Sequence, residues 1–249
     1  MADRPYTVLS VGMSIDGYID SAGEDRLLLS NAADLDRVDE VRAWSDAIMV
    51  GASTVRNDDP RLLVRGAARR QGRLAEGRTP SPAKVTVTAG GRLDPAARFF
   101  ADDGAEKLVF CARGAVRRVR ERVGSVSRVL DAGAPVDMRR IGETLHERGV
   151  RRLMVEGGGT LLTQFLTGGL ADELHLVVAP LFVGDARARR VVGDGRFPWH
   201  DDHRATLAEV RRIGDVVLMR YALSGRFRPD VSALPLARSA AGLVTEEAR

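Results

Sequence analysis

The chain has 249 residues, 44% of them hydrophobic, which is enough to bury the core of one α/β domain. Its formal charge of +4 comes mainly from arginines that alternate with acids, and only 5% of residues are aromatic, so a nucleic-acid-binding surface is not indicated. The only cysteine, Cys111, excludes an internal disulfide and a cysteine-based metal site. No apolar run is long enough to span a membrane and the N-terminus lacks a signal-peptide pattern. We therefore expect a cytoplasmic protein with no metal and with no nucleic-acid or membrane partner.

Short β-branched runs alternate with helical patterns along most of the chain. The helical patterns cover 34–44, 116–123 and 137–149, and the last of them ends in a glycine suited to a helix C-cap. Segment 172–184 predicts a long strand that ends at Pro180, and 204–223 predicts an antiparallel hairpin around Gly214-Asp215. Together these elements predict a three-layer α/β/α fold with a mixed, mostly parallel sheet and a C-terminal antiparallel hairpin. The remaining buried strands are predicted at 6–13, 47–51, 84–89, 107–112, 127–130 and 152–156.

Two segments lack a clear pattern of helix or strand. Residues 66–83 are rich in Gly, Arg and Pro and predict a mobile surface loop. We expect a single domain over residues 1–226, followed by a tail, 227–249, that is partly disordered or packs on a partner subunit.

Three successive glycines follow the strand predicted at 152–156. Gly157, Gly158 and Gly159 have no Cβ and let the main chain approach a ligand, while the free N–H groups of the helix that begins at Thr160 favour an anion. The segment fits a phosphate-binding turn, and it equally fits a tight corner that needs flexible residues. Its spacing is not the G-x-G-x-x-G of the usual dinucleotide fingerprint.

Other polar residues lie where predicted strands end, at the edge of the sheet where open α/β proteins bind ligands. Glu156 could accept two hydrogen bonds from the edge of an amide-like heterocycle, or it could cap the next helix. Thr54 supplies a hydroxyl after the strand at 47–51, and Asp58-Asp59-Pro60 forms a turn of a kind common in ordinary loops. Gly12, just before the turn signal Asp16-Gly17, would let a flat ring lie against the backbone.

Taken together, these segments resemble the reductase family of riboflavin biosynthesis, which shares the dihydrofolate-reductase-like fold. The matching motifs are S-x-DG at 14–17, R-A-x-x-DAIMVG-x-x-TV-x-x-DDP-x-L-x-VR at 42–65, and VEGGGTL…F…DEL…AP…G at 155–184. The resemblance covers about residues 5–224. In bacteria this reductase often follows a zinc deaminase domain with H-x-E and P-C-x-x-C motifs, which this chain lacks. We therefore expect a stand-alone reductase similar to the archaeal and fungal type.

The resemblance implies NADPH-dependent reduction of a ribosylamino-pyrimidine 5′-phosphate. Hydride goes to ribose C1′ of the imine tautomer, which opens the sugar to a ribityl chain. The archaeal and fungal type reduces the diaminopyrimidine before deamination. The protein mainly positions the nicotinamide against that carbon and excludes water. A homodimer is also expected from the family.

Matched positions in the family motifs imply the roles of individual residues. Arginines suit the ribose phosphate, Glu156 suits the pyrimidine, and Asp58, near the reacting centre, is the candidate for a catalytic proton-handling role. The implied NADPH contacts are Gly12, Thr54, Asp58, Thr88, Gly157, Gly158, Gly159, Thr160, Leu161 and Gln164. The implied substrate contacts are Asp25, Arg26, Arg42, Leu62, Arg65 and Glu156.

The sequence departs from the family pattern at two places in the implied substrate pocket. Leu63 replaces a threonine, and Asp25, Arg26 and Leu27 stand where the family has a segment G-E-S-x-W-I-T. An acid in place of that serine would repel a phosphate, so either Arg26 takes over the contact or the ligand differs. Two alternatives stay open: a reductase of the same fold that acts on a pteridine, dihydrofolate or another pyrimidine, and a nucleotide-binding protein without turnover.

Overall fold

The structure is a computed structural model that describes residues 3–23, 27–227 and 229. Asp25 and Arg26 lie outside the described residues, as does most of the tail predicted at 227–249. The strands are β1 (Tyr6–Ser14), β2 (Ala47–Gly51), β3 (Ala83–Thr88), β4 (Lys107–Cys111), β5 (Arg128–Asp131), β6 (Arg152–Glu156), β7 (Glu173–Ala179), β8 (Thr206–Ile213) and β9 (Val216–Ala222). The α-helices are α1 (Ala32–Trp44), α2 (Ala52–Asp58), α3 (Ala67–Ala75), α4 (Val116–Val123), α5 (Met138–Glu147) and α6 (Gly159–Thr167).

All nine strands form one sheet in the order β5-β4-β3-β2-β6-β1-β7-β9-β8. Neighbouring strands from β5 to β7 are parallel. Strand β9 pairs antiparallel with β7 and with β8, and the β8–β9 hairpin turns at Gly214-Asp215. The predicted mixed sheet with a C-terminal hairpin is confirmed, as is the end of β7 immediately before Pro180. The predicted boundary of the domain at residue 226 stays a prediction.

The sheet is buried on both faces because successive side chains of its central strands enter two different cores. Leu9 and Val155 pack with residues of α5 and α6 on one face. Val8 and Ile48 pack with residues of α1, α2 and α4 on the other. Continuous runs of β-branched and aliphatic residues are typical of such parallel strands, since neither face meets water. The predicted three-layer α/β/α architecture is confirmed.

Helix α3 lies inside segment 66–83, so the prediction of a mobile loop there is wrong. The segment has few apolar residues, and polar contacts made by arginine hold the helix in place instead. The Arg73 side chain, only 4% exposed, donates to the carbonyl oxygens of Ala43 and Ser45 at the C-terminal end of α1. Burial, reinforced by the charge of Arg78, lowers the pKa of Arg73 to about 10. Cations at a helix C-terminus stabilise its unpaired carbonyl groups. The composition of segment 66–83 does not reveal this contact, because the carbonyl groups belong to α1.

A buried ionic cluster joins the C-terminal hairpin to the parallel part of the sheet. Glu173 on β7 is fully buried, and one of its carboxylate oxygens accepts hydrogen bonds from Arg220 on β9 at 2.8 and 2.6 Å. The same carboxylate lies 2.7 Å from Nε2 of His175, and Nδ1 of that ring lies 3.2 Å from Arg37 on α1. These contacts anchor the β9 strand and α1 to the same point of the sheet.

Candidate functional site

The topology creates two crevices at the carboxyl edge of the sheet. Helix α6, which follows β6, packs on one face, whereas α1 and α2, which follow β1 and β2, pack on the opposite face. Strand β6 lies between β2 and β1. The chain leaves β6 toward one face of the sheet and leaves β2 and β1 toward the other face, so a crevice opens on each side of the C-terminal end of β6. Ligands of open α/β sheets bind at such points.

The turn between β6 and α6 needs each of its three glycines for a structural reason. Gly157 and Gly158 have φ angles of 60° and 78°, a left-handed conformation that glycine adopts without steric cost. A Cβ on Gly159 would lie 2.4 Å from the carbonyl oxygen of Arg190, so only glycine allows that approach. A Cβ on Gly157 would meet no atom within 4 Å. The glycines therefore make a tight corner, while Gly157 leaves the adjoining space open to a ligand.

A cavity of about 340 Å³ occupies the crevice between the end of β2, the end of β3 and the start of α6. The first N–H groups of α6 border it, and helix geometry leaves them without intrahelical acceptors. Two arginines, Arg56 and Arg92, line the cavity and no acidic residue is among its described lining residues. Glycine, free N–H groups and cations form a donor set that fits the phosphates of a dinucleotide. Of the implied NADPH contacts, the cavity is lined by Thr88, Gly158, Thr160, Leu161 and Gln164.

The other implied cofactor residues are not among those that line this cavity. The Thr54 hydroxyl lies 3.5 Å from the position that a Cβ on Gly158 would take. Asp58 is the last residue of α2 and its side chain is exposed. A Cβ on Gly12 would lie 3.2 Å from the carbonyl oxygen of Leu29, so the main chain of Leu29 packs against this glycine. The contact of Gly12 with a cofactor stays a prediction.

On the other side of β6, Arg42 and Glu156 are joined by a bidentate ion pair. Nε and Nη2 of Arg42 donate to the two carboxylate oxygens of Glu156 at 2.6 and 2.7 Å, with 13% and 16% of the two side chains exposed. Burial would lower the pKa of Arg42, but the charge of Glu156 raises it, so the guanidinium stays charged. The structure brings two implied substrate residues together and uses Arg42 to orient Glu156. Of the two implied phosphate arginines, Arg65 has the exposed side chain.

The loop from Asp59 to Gly66 carries the remaining implied substrate residues. Asp59 and Leu62 have φ angles of 42° and 52°, which are costly for residues with a Cβ, and Leu62 is buried. The carboxylate of Asp39, from α1, accepts hydrogen bonds from the N–H groups of Arg65 and Gly66 at 2.5 and 2.9 Å. Such strain persists only when its surroundings hold it, and Asp39 supplies that hold.

The Asp16-Gly17 turn has a structural explanation. The Asp16 carboxylate accepts hydrogen bonds from the Ser14 hydroxyl at 2.5 Å and from the N–H group of Gly184 at 2.8 Å. These bonds, the one from Ser14 foremost, lower the pKa of Asp16 to about 2. Asp16 therefore ties the end of β1 to the loop after β7.

Sequence reasoning missed Asp39, Arg56 and Arg92. The first is hidden among the charges of α1, and its role depends on a loop more than twenty residues away in sequence. The two arginines were visible only as members of an arginine-rich composition. Their signal was the position of each shortly after a strand end, Arg56 five residues beyond Gly51 and Arg92 four beyond Thr88.

A metal centre and a membrane-spanning helix are both absent from the described residues. Within 3–23 and 27–227, no group of three or more His, Cys, Asp or Glu side chains could hold a metal ion. No helix among these residues is long and apolar enough to cross a membrane.

Comparison with known proteins identifies the class to which this fold and site belong. The model of the RibD C-terminal domain family matches residues 5–219, and the chain belongs to that family. It is 37% identical to the 2,5-diamino-6-ribosylamino-4(3H)-pyrimidinone 5′-phosphate reductase of Archaeoglobus fulgidus over 90% of this chain and 99% of that one. The enzyme of the same name from Methanothermobacter thermautotrophicus is 35% identical over 89% of this chain and all of its own. The recognised resemblance is confirmed.

Among solved structures, the fold matches a pyrimidine reductase-like protein from Corynebacterium diphtheriae. The TM-score is 0.76 at 22% sequence identity, and the match covers 88% of this chain and 91% of that one. At this identity the likeness concerns the fold alone, and it agrees with the three-layer architecture described above.

Proposed function

We propose that this chain is an oxidoreductase that reduces a ribosylamino-pyrimidine 5′-phosphate to the ribitylamino-pyrimidine 5′-phosphate in riboflavin biosynthesis, with NADPH as reductant. The main support is the extent of the match to the two archaeal reductases, which spans nearly the whole of both chains. The site adds chemical support, because a cleft suited to a dinucleotide and a bidentate Arg–Glu pair lie on the two sides of one strand.

The residues around Glu156 suit the pyrimidine part of this substrate. Arg42 holds the carboxylate in one orientation, and each carboxylate oxygen keeps lone pairs for a further hydrogen bond from a heterocycle. Arg65, exposed at the end of the strained loop, suits the 5′-phosphate, since guanidinium binds phosphate bidentately. Together they would fix both ends of the substrate, which leaves the carbon between them in a defined position.

The reaction requires one hydride and one proton. When bound, the reduced nicotinamide supplies the hydride to C1′ of the imine, and the C=N electron pair moves onto the nitrogen, which takes up a proton. We assign the proton-handling role to Asp58, whose exposed position allows proton exchange with water. Gly158 and Thr54 form the adjoining wall of the cleft.

We also propose that the protein is a homodimer that uses an apolar face of the C-terminal hairpin. The register places side chains of β7, β9 and β8 on the sheet face opposite the Glu173 cluster. Leu207, Val210 and Val217 on this face are 51%, 60% and 38% exposed. Apolar side chains exposed together on one face are typical of a surface that is covered by another protein. The apolar residues of this face are Leu174, Leu176, Val178, Leu207, Val210, Val217, Met219 and Tyr221, and Arg212, paired with Val217, lies at its end.

A sedimentation experiment tests the dimer. The protein should sediment as a dimer, and Val210→Glu should shift it to monomer, because a charge cannot be buried in an apolar interface without a partner. A monomeric wild-type protein would refute the proposal. The cytoplasmic location stays a prediction, which fractionation of cells that make the protein would check.

Assay of NADPH oxidation against a panel of substrates tests the activity. We expect turnover with the diamino or the deaminated ribosylamino-pyrimidine phosphate, and a product heavier by two hydrogens in mass spectrometry. Oxidation only with dihydrofolate or a pteridine would replace the proposed substrate. Tight NADPH binding without turnover on any of these compounds would instead identify a nucleotide-binding protein.

A further inference from the structure

The loop between β7 and β8 passes over the glycine turn that follows β6, and we call residues 185–193 of this loop the strap. A Cβ on Gly159 would lie 2.4 Å from the carbonyl oxygen of Arg190, so the main chain of the strap rests directly on the start of α6. The N–H group of Gly193 donates to the hydroxyl of Thr163 on the same helix at 2.8 Å. The strap is therefore fixed to α6 at its C-terminal end.

The strap is also fixed to the turn that follows β1. The carbonyl oxygen of Arg189 accepts a hydrogen bond from the N–H group of Ile19 at 2.8 Å, and the N–H group of Val191 donates to the carbonyl oxygen of Gly17 at 3.0 Å. These main-chain bonds hold the backbone of Arg189 in place. Its side chain therefore reaches neighbouring elements from a fixed point.

The Arg189 side chain bonds to α2, which packs on the face of the sheet opposite α6. With its amide oxygen turned toward the strap, Asn57 accepts hydrogen bonds from both Nη atoms of Arg189 at 2.8 and 3.1 Å. A hydrogen bond from a charged donor is stronger than one between neutral groups. Arg189 thus joins α2 to an element that is itself fixed to α6 and to the turn after β1.

The last turn of α2 depends on such contacts for its position. The helix has seven residues, only two of them buried, and a helix this short needs tertiary support. The carboxylate of Asp59, directly after the helix, accepts a hydrogen bond from the N–H group of Arg98 at 2.6 Å. Asp58 therefore lies between two residues whose side chains are bonded to other parts of the fold, Asn57 to the strap and Asp59 to the loop between β3 and β4.

One face of α2 is turned toward the glycine turn. The hydroxyl of Thr54 lies 3.5 Å from the position that a Cβ on Gly158 would take, and Asp58 follows Thr54 by four residues, which places both on the same helix face. We infer that Arg189 is a positioning residue for the reduction, because it grips Asn57 and so holds Asp58 at the reacting centre. The inference rests on the proposed function, since it acts through the proton-handling role assigned to Asp58.

Steady-state kinetics with NADPH and the ribosylamino-pyrimidine phosphate test the positioning role. Arg189→Met keeps the aliphatic stem and removes the donors, so kcat should fall about 10-fold while KM for both compounds changes less than about twofold. Neither Arg189 nor Asn57 lines the cofactor cavity, so binding should be little affected. Asn57→Ala should cause the same fall, and the double variant no further fall, because both substitutions remove one contact. Arg189→Lys should recover part of kcat, since an ammonium group can still donate to the amide oxygen.

Arg187→Met is the matched control, because Arg187 is an exposed arginine of the same strap whose side chain bonds to Asp185 within it at 3.1 and 2.7 Å. It should keep the wild-type kcat, and thermal unfolding should show that all variants fold. In an Asp58→Asn background, which should itself lower kcat, Arg189→Met should cause no further loss.

Three results would overturn the inference: a wild-type kcat in Arg189→Met, an equal fall in Arg187→Met, or a full further fall when Arg189→Met is added to Asp58→Asn. Absence of turnover by the wild-type protein with either the diamino or the deaminated ribosylamino-pyrimidine phosphate would instead overturn the proposed function.

Discussion

Glu156 lies at the end of β6 with both carboxylate oxygens bonded to Arg42. One guanidinium Nη of Arg42 also lies 3.4 Å from the carbonyl oxygen of Leu63 in the strained loop. Most of the donors of Arg42 are therefore used inside the protein, so the role that we propose for it in substrate binding is indirect. It fixes the acceptor proposed to meet the substrate and the loop that carries Arg65.

Arg42→Ala tests this indirect role. Glu156 would lose its orientation and a largely buried carboxylate would lose its partner, so we expect kcat/KM for the pyrimidine substrate to fall by about 10- to 100-fold and stability by about 2 kcal/mol. NADPH affinity, measured by calorimetry, should not change, because Arg42 does not line the cofactor cavity. Arg42→Lys should restore stability more than activity, since lysine cannot donate bidentately. An unchanged kcat/KM in the alanine variant would contradict the assignment.

Arg65→Ala separates the phosphate contact from the rest of the site. One charge-assisted contact to phosphate is worth roughly 1.5–3 kcal/mol, so the KM for the phosphorylated substrate should rise by about 10-fold or more. The KM for NADPH should stay within experimental error. Arg61→Ala removes another exposed arginine of the same loop and serves as the control. Equal loss of affinity for substrate and cofactor would show that Arg65 is misassigned.

Helix α1 organises the side of the site that we propose binds the substrate. Asp39 and Arg42, one turn apart, both bond to the backbone of the same loop, Arg42 at Leu63 and Asp39 at Arg65. Asp34 pairs with Arg37 on the same helix at 2.7 Å. The buried residues of α1 are mostly charged. A pattern of apolar positions such as Leu35, Val38 and Val41 therefore predicts the helix but not the face that it buries, and Leu35 is in fact 39% exposed.

Asp39→Asn tests whether α1 sets the conformation of the substrate loop. The two carboxylate oxygens of Asp39 accept hydrogen bonds from Arg65, Gly66 and Arg69. The asparagine side chain has only one acceptor oxygen, so some of these bonds would be lost and the strained loop should relax. We expect KM for the substrate to rise several-fold at nearly constant kcat. Asp36→Asn, which breaks another contact of Arg69 on the exposed side of α1, should leave KM unchanged. A loss of kcat alone would argue for general destabilisation.

The strands and the glycine turn could be predicted because their signals are local. A short apolar run such as 47–51 that ends in glycine indicates a buried strand, and Gly157 and Gly158 favour a left-handed corner. Helix α3 was missed because its stabilising partners, the carbonyls at the end of α1, lie some thirty residues earlier. The Arg42–Glu156 pair spans 114 residues, so only the tertiary fold could show that the two residues meet.

At the scale of the whole molecule, the Glu173 cluster makes the attachment of the hairpin sensitive to pH. Burial would raise the pKa of Glu173, but the hydrogen bond and charge of His175 and the charge of Arg220 lower it from 4.5 to about 2. A depressed carboxyl pKa gives stability that is present above pH 4.5 and lost as pH falls toward 2. Burial also lowers the pKa of His175, so the folded state loses further stability as pH falls through the ordinary histidine range.

Urea unfolding between pH 7 and 3 measures this dependence. We expect Glu173 to contribute about 3 kcal/mol at pH 7 that disappears with acidification. Glu173→Gln should be less stable than wild type at pH 7 and should show a flatter dependence on pH below 4.5. Parallel pH profiles for the two proteins would mean that other carboxylates control acid unfolding.

The position of β6 between β2 and β1 also affects how the enzyme can be redesigned. The residues that line the proposed cofactor cavity include those of α2, the loop after β3 and the start of α6, whereas the groups proposed to select the substrate lie on α1, β6 and the loop at 59–66. Because the two sets share no described hydrogen-bond partner, the free-energy effects of substitutions in them should add. Coenzyme preference and substrate range should therefore be adjustable in separate libraries, whose best variants could then be combined in a single chain.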